Sequence, residues 1–193
     1  MRVKIIVDST ADVKNAVKER LVVVPMTVHF GEEEYIDGVT IDNKTFYEKL
    51  IESDVLPTTS QAIPAAFDRV FAQIAAAGDT AVVLTISSKL SGTYQSAVIA
   101  ASEYPNQVFV VDSKSAAIGS GILAELALQL ADNGMDAKTV AQTLEQERER
   151  LCLVAMLDTL EYLKKGGRIS AAVAFAGGLL SIKPVISLED GEI

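Results

Sequence analysis

A single cysteine and a single histidine are all that the 193-residue chain offers as thiol or imidazole ligands, and this scarcity excludes several chemistries. Cys152 and His29 cannot build a tetrahedral zinc site, and the carboxylates Asp8, Asp12, Asp37 and Asp112 lack the spacing that specifies calcium or magnesium. No metal and no other cofactor is expected. Cys152 has no partner for an intramolecular disulfide, which fits a reducing, cytoplasmic compartment. Neither G-x-x-x-x-G-K-[ST] nor G-x-G-x-x-G occurs, so no nucleotide phosphate loop is signalled. The nearest run, Lys165-Gly166-Gly167-Arg168, reads at least as well as a helix ended by glycine with cations in its last turn. Basic residues are also scarce, 17 against 26 acidic ones, and the net charge of −9 argues against a nucleic-acid partner. Long apolar runs are missing too. Ile5-Ile6-Val7 ends at Asp8, too soon for a signal-sequence core, and no apolar window reaches the roughly 18 residues of a membrane span. Transient contact with a membrane surface stays compatible with the sequence.

What is present is ordinary globular material. Hydrophobic residues at 49% and charged residues at 22% exclude a disordered chain. Val3 to Val7 reads as a buried strand closed by Asp8-Ser9-Thr10, with a short helix from about Asp12. Leu21 to Val24 and Thr27 to Phe30 form a second strand region interrupted by Pro25, and Phe30 to Tyr35 can turn it into a hairpin. Asp42 caps a helix whose Phe46, Leu50 and Ile51 share a face. The next helix is expected from near Ser60 to Gly78, with Pro64 in its first turn. Strands at Ala81–Ile86 and Val108–Val111 then alternate with helices at Thr93–Ser102, Ser115–Ala131 and Asp136–Arg150.

That alternation predicts an α/β fold, a largely parallel sheet flanked by helices with right-handed crossovers. Residues 1–150 are expected to form this Rossmann-like α/β domain, and residues 151–193 the start of a second, incomplete one. In the second part, Cys152–Leu157 and Pro184–Leu188 read as strands, Thr159–Lys165 as a short helix, and Ser170–Ala176 as a small-residue helix. Asp190-Gly191 looks like a hairpin turn with no second strand after it, as if the sequence were cut inside that domain.

In parallel α/β sheets ligands bind beyond the carboxyl ends of the strands, where helix N-termini aim free N–H groups into a crevice. Asp8-Ser9-Thr10, Ser87 to Thr93 and Asp112-Ser113 occupy such places, and Pro57-Thr58-Thr59-Ser60-Gln61 leads into a helix. The stretch ISSKLSGTYQSA, residues 86–97, carries five serines and threonines: Ser87, Ser88, Ser91, Thr93 and Ser96. Three uses compete for them: helix caps, a nucleophile, or a cradle for an anionic head group. A serine nucleophile needs a base, and Ser91 in Leu90-Ser91-Gly92 has neither a G-x-S-x-G elbow nor an S-x-x-K lysine. His29 falls in the second strand region, a place for a partly buried structural residue. Neutral hydroxyls and backbone N–H groups suit a small carboxylate or phosphate, so the anion cradle is favoured over catalysis.

The segments also resemble a known family as an ordered set. Val7-Asp8-Ser9-Thr10-Ala11-Asp12, Pro57-Thr58-Thr59-Ser60-Gln61, Ser88-Lys89-Leu90-Ser91-Gly92-Thr93-Tyr94, Val111-Asp112-Ser113, Leu160 to Ile169 and Ile182-Lys183-Pro184 are similar to the motifs of the DegV family. The resemblance implies a two-domain α/β protein that holds a long-chain fatty acid between its domains. It also implies a non-catalytic, lipid-binding subunit of a fatty acid kinase system, which presents the carboxylate to a separate ATP-dependent kinase for acyl-phosphate formation. The positions matching the family's carboxylate ligands are Thr59 and Ser91; their neighbours Ser60, Gly92 and Thr93 are candidates for a supporting role. A histidine that the family supplies from its carboxyl-terminal part has no counterpart here, and Ala62 stands where the family often has proline. Arg168, flanked by Lys164 and Lys165 on an acidic protein, is the candidate docking point for the kinase. The alternative from another class is a hydrolase or transferase of a small anionic substrate that uses Ser91.

Overall fold

The computed structural model describes residues 2–169 and 183–193. In chain order the elements are β1 (Val3–Asp8), α1 (Asn15–Lys18), β2 (Val22–Val24), β3 (Thr27–Phe30), β4 (Glu33–Ile36), α2 (Asn43–Glu52), β5 (Thr58–Ser60) and α3 (Pro64–Ala76). They continue with β6 (Thr80–Thr85), α4 (Thr93–Ala101), β7 (Val108–Asp112), α5 (Ala117–Asp132), α6 (Ala137–Glu147), β8 (Leu153–Met156), α7 (Glu161–Lys165) and β9 (Val185–Leu188). The small-residue helix expected over Ser170–Ala176 lies outside the described residues.

The apolar runs of β1 and β6 make them central strands. A parallel strand is covered by helices on both faces, so it needs a continuous hydrophobic run rather than an alternating one. All six residues of β6 are buried. The main sheet has the order β2-β1-β6-β7, parallel throughout, with Ile5 opposite Val82 and Val83 opposite Val110. Successive side chains leave a strand on opposite faces, which divides the core in two. Ile5, Val7, Val82 and Leu84 meet Leu123, Leu128, Val140 and Leu144 of α5 and α6. Ile6, Ala81 and Val83 meet Phe67 and Phe71 of α3 and Ala97 of α4. The fold is therefore α/β with a parallel sheet between helical layers, as the alternation of strands and helices predicts.

Two smaller sheets complete it. Pro25 does not merely interrupt one strand region: β2 lies in the main sheet, whereas β3 lies in an antiparallel sheet of order β4-β3-β5. The β3–β4 turn is the expected hairpin, with Gly31 at a φ of 62°. β8 and β9 pair antiparallel, and Asp190-Gly191 forms a tight turn beyond them, bridging Glu189 to Glu192.

Three expectations need correction. Thr58–Ser60 is a strand, not the start of a helix: it pairs with the free edge of β3, Val28 opposite Thr59, and Pro64 sets the first helical residue of α3. α1 begins at Asn15 rather than near Asp12: the Asp12 N–H is tied to the Ala117 carbonyl at 3.1 Å, and Lys14, just before the helix, is still extended. Ile51 does not share the inward face of α2, being 84% exposed; this helix packs chiefly through Phe46, on the small cluster of Val28, Phe30 and Ile41. The caps hold as expected: Asp42 accepts from the Thr45 N–H and Asp136 from the Thr139 N–H.

This burial pattern predicts a sharp contrast between two truncations. Phe67→Ala, at a fully buried site, should lower unfolding free energy by about 3–5 kcal/mol. Ile51→Ala should change it by less than about 0.5 kcal/mol. Urea denaturation of both variants checks the pair, and comparable losses would contradict the described packing of α2.

Candidate functional site

The site lies where β1 and β6 end and the antiparallel sheet approaches them. Asp8, the last residue of β1, is almost wholly buried. One carboxylate oxygen accepts from the Thr10 N–H at 3.0 Å and from the Thr10 hydroxyl, and the other accepts from the Ile86 N–H at 2.7 Å. Burial raises its pKa above the ordinary carboxylate value, the bonds from Thr10 and Ile86 pull it down, and the nearby Asp37 charge pushes it up again. Asp8 thereby fixes the start of the loop that follows β6.

The rest of that loop is held residue by residue. Ser87 is fully buried; its N–H donates to the Ser115 carbonyl at 2.8 Å, and its hydroxyl donates to the Gly191 carbonyl at 2.7 Å. Gly191 adopts a φ of 84°, and a Cβ there would sit 2.5 Å from the Ser87 hydroxyl, so the turn beyond β9 packs closely on the loop. Lys114 holds the same turn from outside, reaching Glu149 at 2.9 Å and Asp190 at 3.4 Å, and its pKa is raised first by the bond to Glu149. The Arg168 guanidinium donates to the Leu90 carbonyl at 3.1 Å and also to the Gly166 carbonyl.

Ser91 and Thr93 close the loop against α4. Their hydroxyl oxygens are 3.0 Å apart, the Thr93 N–H reaches the Ser91 oxygen at 3.3 Å, and the Ala62 N–H reaches the Thr93 oxygen at 3.3 Å. Gln61 lies across Gly92, where a Cβ would come 1.9 Å from its amide oxygen, and its amide donates to Ser96 at 2.9 Å. The chain after β5 is thus clamped onto the start of α4.

A cavity of about 340 Å³ brings Thr59 and Ser91 together. Its other walls are largely apolar: Met26, Val28, Ile86, Leu90, Leu153 and Ile186, from both antiparallel sheets and the loop after β6. Thr10, Asp37 and Arg168 also reach it. A second cavity, about 590 Å³ and lined by Phe46, Leu50, Leu56 and Tyr162, shares Thr59 and Arg168 with the first. The arrangement offers neutral donors beside apolar walls, with the Arg168 guanidinium and the Asp37 carboxylate also reaching the cavity.

Of the predicted site residues, Thr59 and Ser91 share this cavity, Thr93 stands behind Ser91, and Gly92 lies under Gln61. Ser60 does not join them: in a strand it points away from the Thr59 face, and its hydroxyl bonds the His29 ring at 2.9 Å. His29 is half-buried and engaged there. Among the described residues, no base is hydrogen-bonded to Ser91. The clamping role of Asp8 was missed, although a carboxylate ending an otherwise apolar run was the available signal. No helix among the described residues is long and apolar enough to cross a membrane.

Comparison with known proteins is consistent across the whole chain. The model of the DegV family, described as uncharacterised proteins, matches residues 2–193. A DegV domain-containing protein of Caldanaerobacter subterraneus is 35% identical over all of this chain and 69% of its own length. Among solved structures, a fatty-acid-binding DegV family protein of Thermus thermophilus is 39% identical with a TM-score of 0.89, covering 100% of this chain and 69% of that one. A stearic-acid-binding protein of Eubacterium ventriosum has 29% identity and a TM-score of 0.89, with 100% and 68% covered. DegV of Bacillus subtilis, a fatty acid binding protein, has 30% identity and a TM-score of 0.85, with 100% and 70% covered.

Removing the Asp8 carboxylate should leave the Ile86 and Thr10 N–H groups without acceptors, so Asp8→Ala is expected to cost about 1–3 kcal/mol of stability at neutral pH. A second signature follows from the sign of the shift. With its folded pKa raised, Asp8 contributes most below the unfolded value near 3.8, and stability falls as pH rises through the folded value. Chemical denaturation of both proteins across acid to neutral pH should show the stability advantage of the parent over Asp8→Ala falling as pH rises through the folded value. An unchanged profile would exclude Asp8 as a buried, proton-retaining group.

Proposed function

The chain belongs to the DegV family, and from that premise we propose that it binds a long-chain fatty acid, with the carboxylate at Thr59 and Ser91 and the acyl chain against the apolar walls below them. The observation that carries this reading is the convergence of Thr59, from a strand edge, and Ser91, from the loop after β6, on one mainly apolar cavity. The fatty-acid-binding descriptions of similar solved structures from Thermus thermophilus and Eubacterium ventriosum support it.

The physical division of labour is simple. Each buried methylene contributes about 0.8 kcal/mol before ordering costs, so the acyl chain supplies most of the affinity. The hydroxyls supply orientation, since a hydrogen bond to a charged group contributes only about 1.5–3 kcal/mol. Ser91 with Thr93 as its hydroxyl partner suits a ligand donor rather than a nucleophile, which favours a non-catalytic carrier.

The finer parts of the reading rest on this cradle. The carboxylate is presented to a separate ATP-dependent kinase, which forms the acyl phosphate in the cytoplasm. Arg168 stands exposed beside Lys164 and Lys165 and bonds the Leu90 carbonyl one residue from Ser91, so a kinase docked on it would sit close to the phosphate acceptor. Residues 1–150 form the α/β domain that carries both hydroxyls, and residues 151–193 begin a second domain that supplies the opposite wall.

Organic extraction of the purified protein followed by mass spectrometry should identify a bound fatty acid of roughly C16–C18; an apolar ligand of another class, or no uptake of added fatty acid, would sink the proposal. With a fatty acid kinase supplied, Ser91→Ala should abolish phosphate transfer to the lipid while most lipid stays bound. Intact phosphorylation would remove Ser91 from the cradle.

A further inference from the structure

We infer that Thr93 is a positioning residue that sets the direction of the Ser91 hydroxyl proton, so that Ser91 meets its ligand only as a donor. The inference rests on the fatty-acid reading above and adds how the cradle recognises its head group. Thr93 is 0% exposed, so its hydroxyl has no solvent to turn to. A threonine hydroxyl has one proton and two lone pairs. One lone pair of Thr93 is taken by the Ala62 N–H at 3.3 Å, and among the described residues its remaining hydrogen-bond partner is the Ser91 oxygen at 3.0 Å.

Two proton arrangements are available to that hydroxyl pair, and burial selects between them. With Ser91 donating to Thr93, the Thr93 proton would be a buried donor without an acceptor among the described residues, which disfavours that arrangement. With Thr93 donating to Ser91, the buried Thr93 hydroxyl is satisfied and the unpaired proton is that of Ser91, which faces the cavity. Ser91 then accepts twice, from the Thr93 hydroxyl and from the Thr93 N–H at 3.3 Å. Both its lone pairs are occupied, and its one proton is left for the cavity that it lines. The chain of donation runs from the Ala62 N–H to Thr93, from Thr93 to Ser91, and from Ser91 to the ligand, each bond polarising the next.

A head group that accepts without needing to donate is therefore the matching partner. A carboxylate meets that requirement. An alcohol of the same chain length brings a proton for which Ser91 has no free lone pair. Thr59 leads into the same stretch of backbone: the chain from β5 supplies Thr59 to the cavity and, three residues on, the N–H that anchors Thr93. The two ligand hydroxyls are thus set by one segment.

Affinities of the purified protein for hexadecanoic acid and for 1-hexadecanol, measured by calorimetry, test the relay. The parent protein should prefer the acid. Thr93→Val should lose about tenfold in affinity for the acid with the alcohol changed less than about threefold, and Thr93→Ser should restore the preference. Adding Thr93→Val to Ser91→Ala should cause little further loss, because the two act through one bond. Acid affinity equal to the parent's in Thr93→Val overturns the relay, and so does an equal loss for both ligands, which marks a purely structural residue. If the valine variant does not fold, Thr93→Ala is read in its place against the same outcomes. Failure of both to fold while Thr93→Ser folds also overturns it, since the hydroxyl then serves the fold. A parent protein that binds neither ligand sinks the fatty-acid reading instead.

Discussion

The Asp8 carboxylate joins the ends of two central strands, and the geometry of the site descends from it. Its bond to the Ile86 N–H fixes where the chain leaves β6, and its bonds to Thr10 fix where the chain leaves β1. Two parallel strands in register bring these ends level, because Val7 stands opposite Leu84 and leaves Asp8 next to the first loop residues. A buried carboxylate is tolerated there because its oxygens receive three donors, although burial still pushes its pKa upward. Without that anchor the loop from Ile86 to Gly92 would have only its later contacts to define it.

Those later contacts converge from distant parts of the chain. Gln61 and Ala62 hold the start of α4, just past the loop, from the antiparallel side, while Gly191 holds the loop from the turn beyond β9 and Arg168 from the residues after α7. The loop therefore works as the junction between the main sheet and both small sheets. Neutral donors at such a junction offer an anion hydrogen bonds without the strong counter-ion that would hold it permanently, in keeping with the proposed carboxylate site. The local cations stand at the rim, where solvent screens them.

Much of the main sheet was legible because its signals are local. Ile5-Ile6-Val7 and Ala81-Val82-Val83-Leu84 are apolar on both faces and need no partner to be read as central strands. Asp42 and Asp136 announce their helices by cap chemistry, and Asp190-Gly191 announces its turn. β5 was not legible: Thr58-Thr59-Ser60 has no hydrophobic pattern, and its strand state comes from pairing with β3. The separation of Ser60 from the cavity has the same origin, since the strand's alternation turns it away from Thr59. Ile51 failed for a related reason, because helical periodicity shows which residues share a face but not whether another element covers it. Thr59 was singled out as a ligand by family resemblance. From the residues alone its segment read as a lead into a helix, and its meeting with Ser91 is a tertiary fact.

The bond from Ser87 to Gly191 spans 104 positions, so the loop gains one of its fastenings from a residue made long after it. During synthesis the strands β1, β6 and β7 are complete while Gly191 is still unmade, and long-range contacts of this kind form late. Until then Ser87 lacks its acceptor, and the apolar wall beside Ser91 lacks β8 and β9. The cavity is thus completed late in the order in which the chain emerges: a nascent chain can have its main sheet and still lack one wall of the cavity.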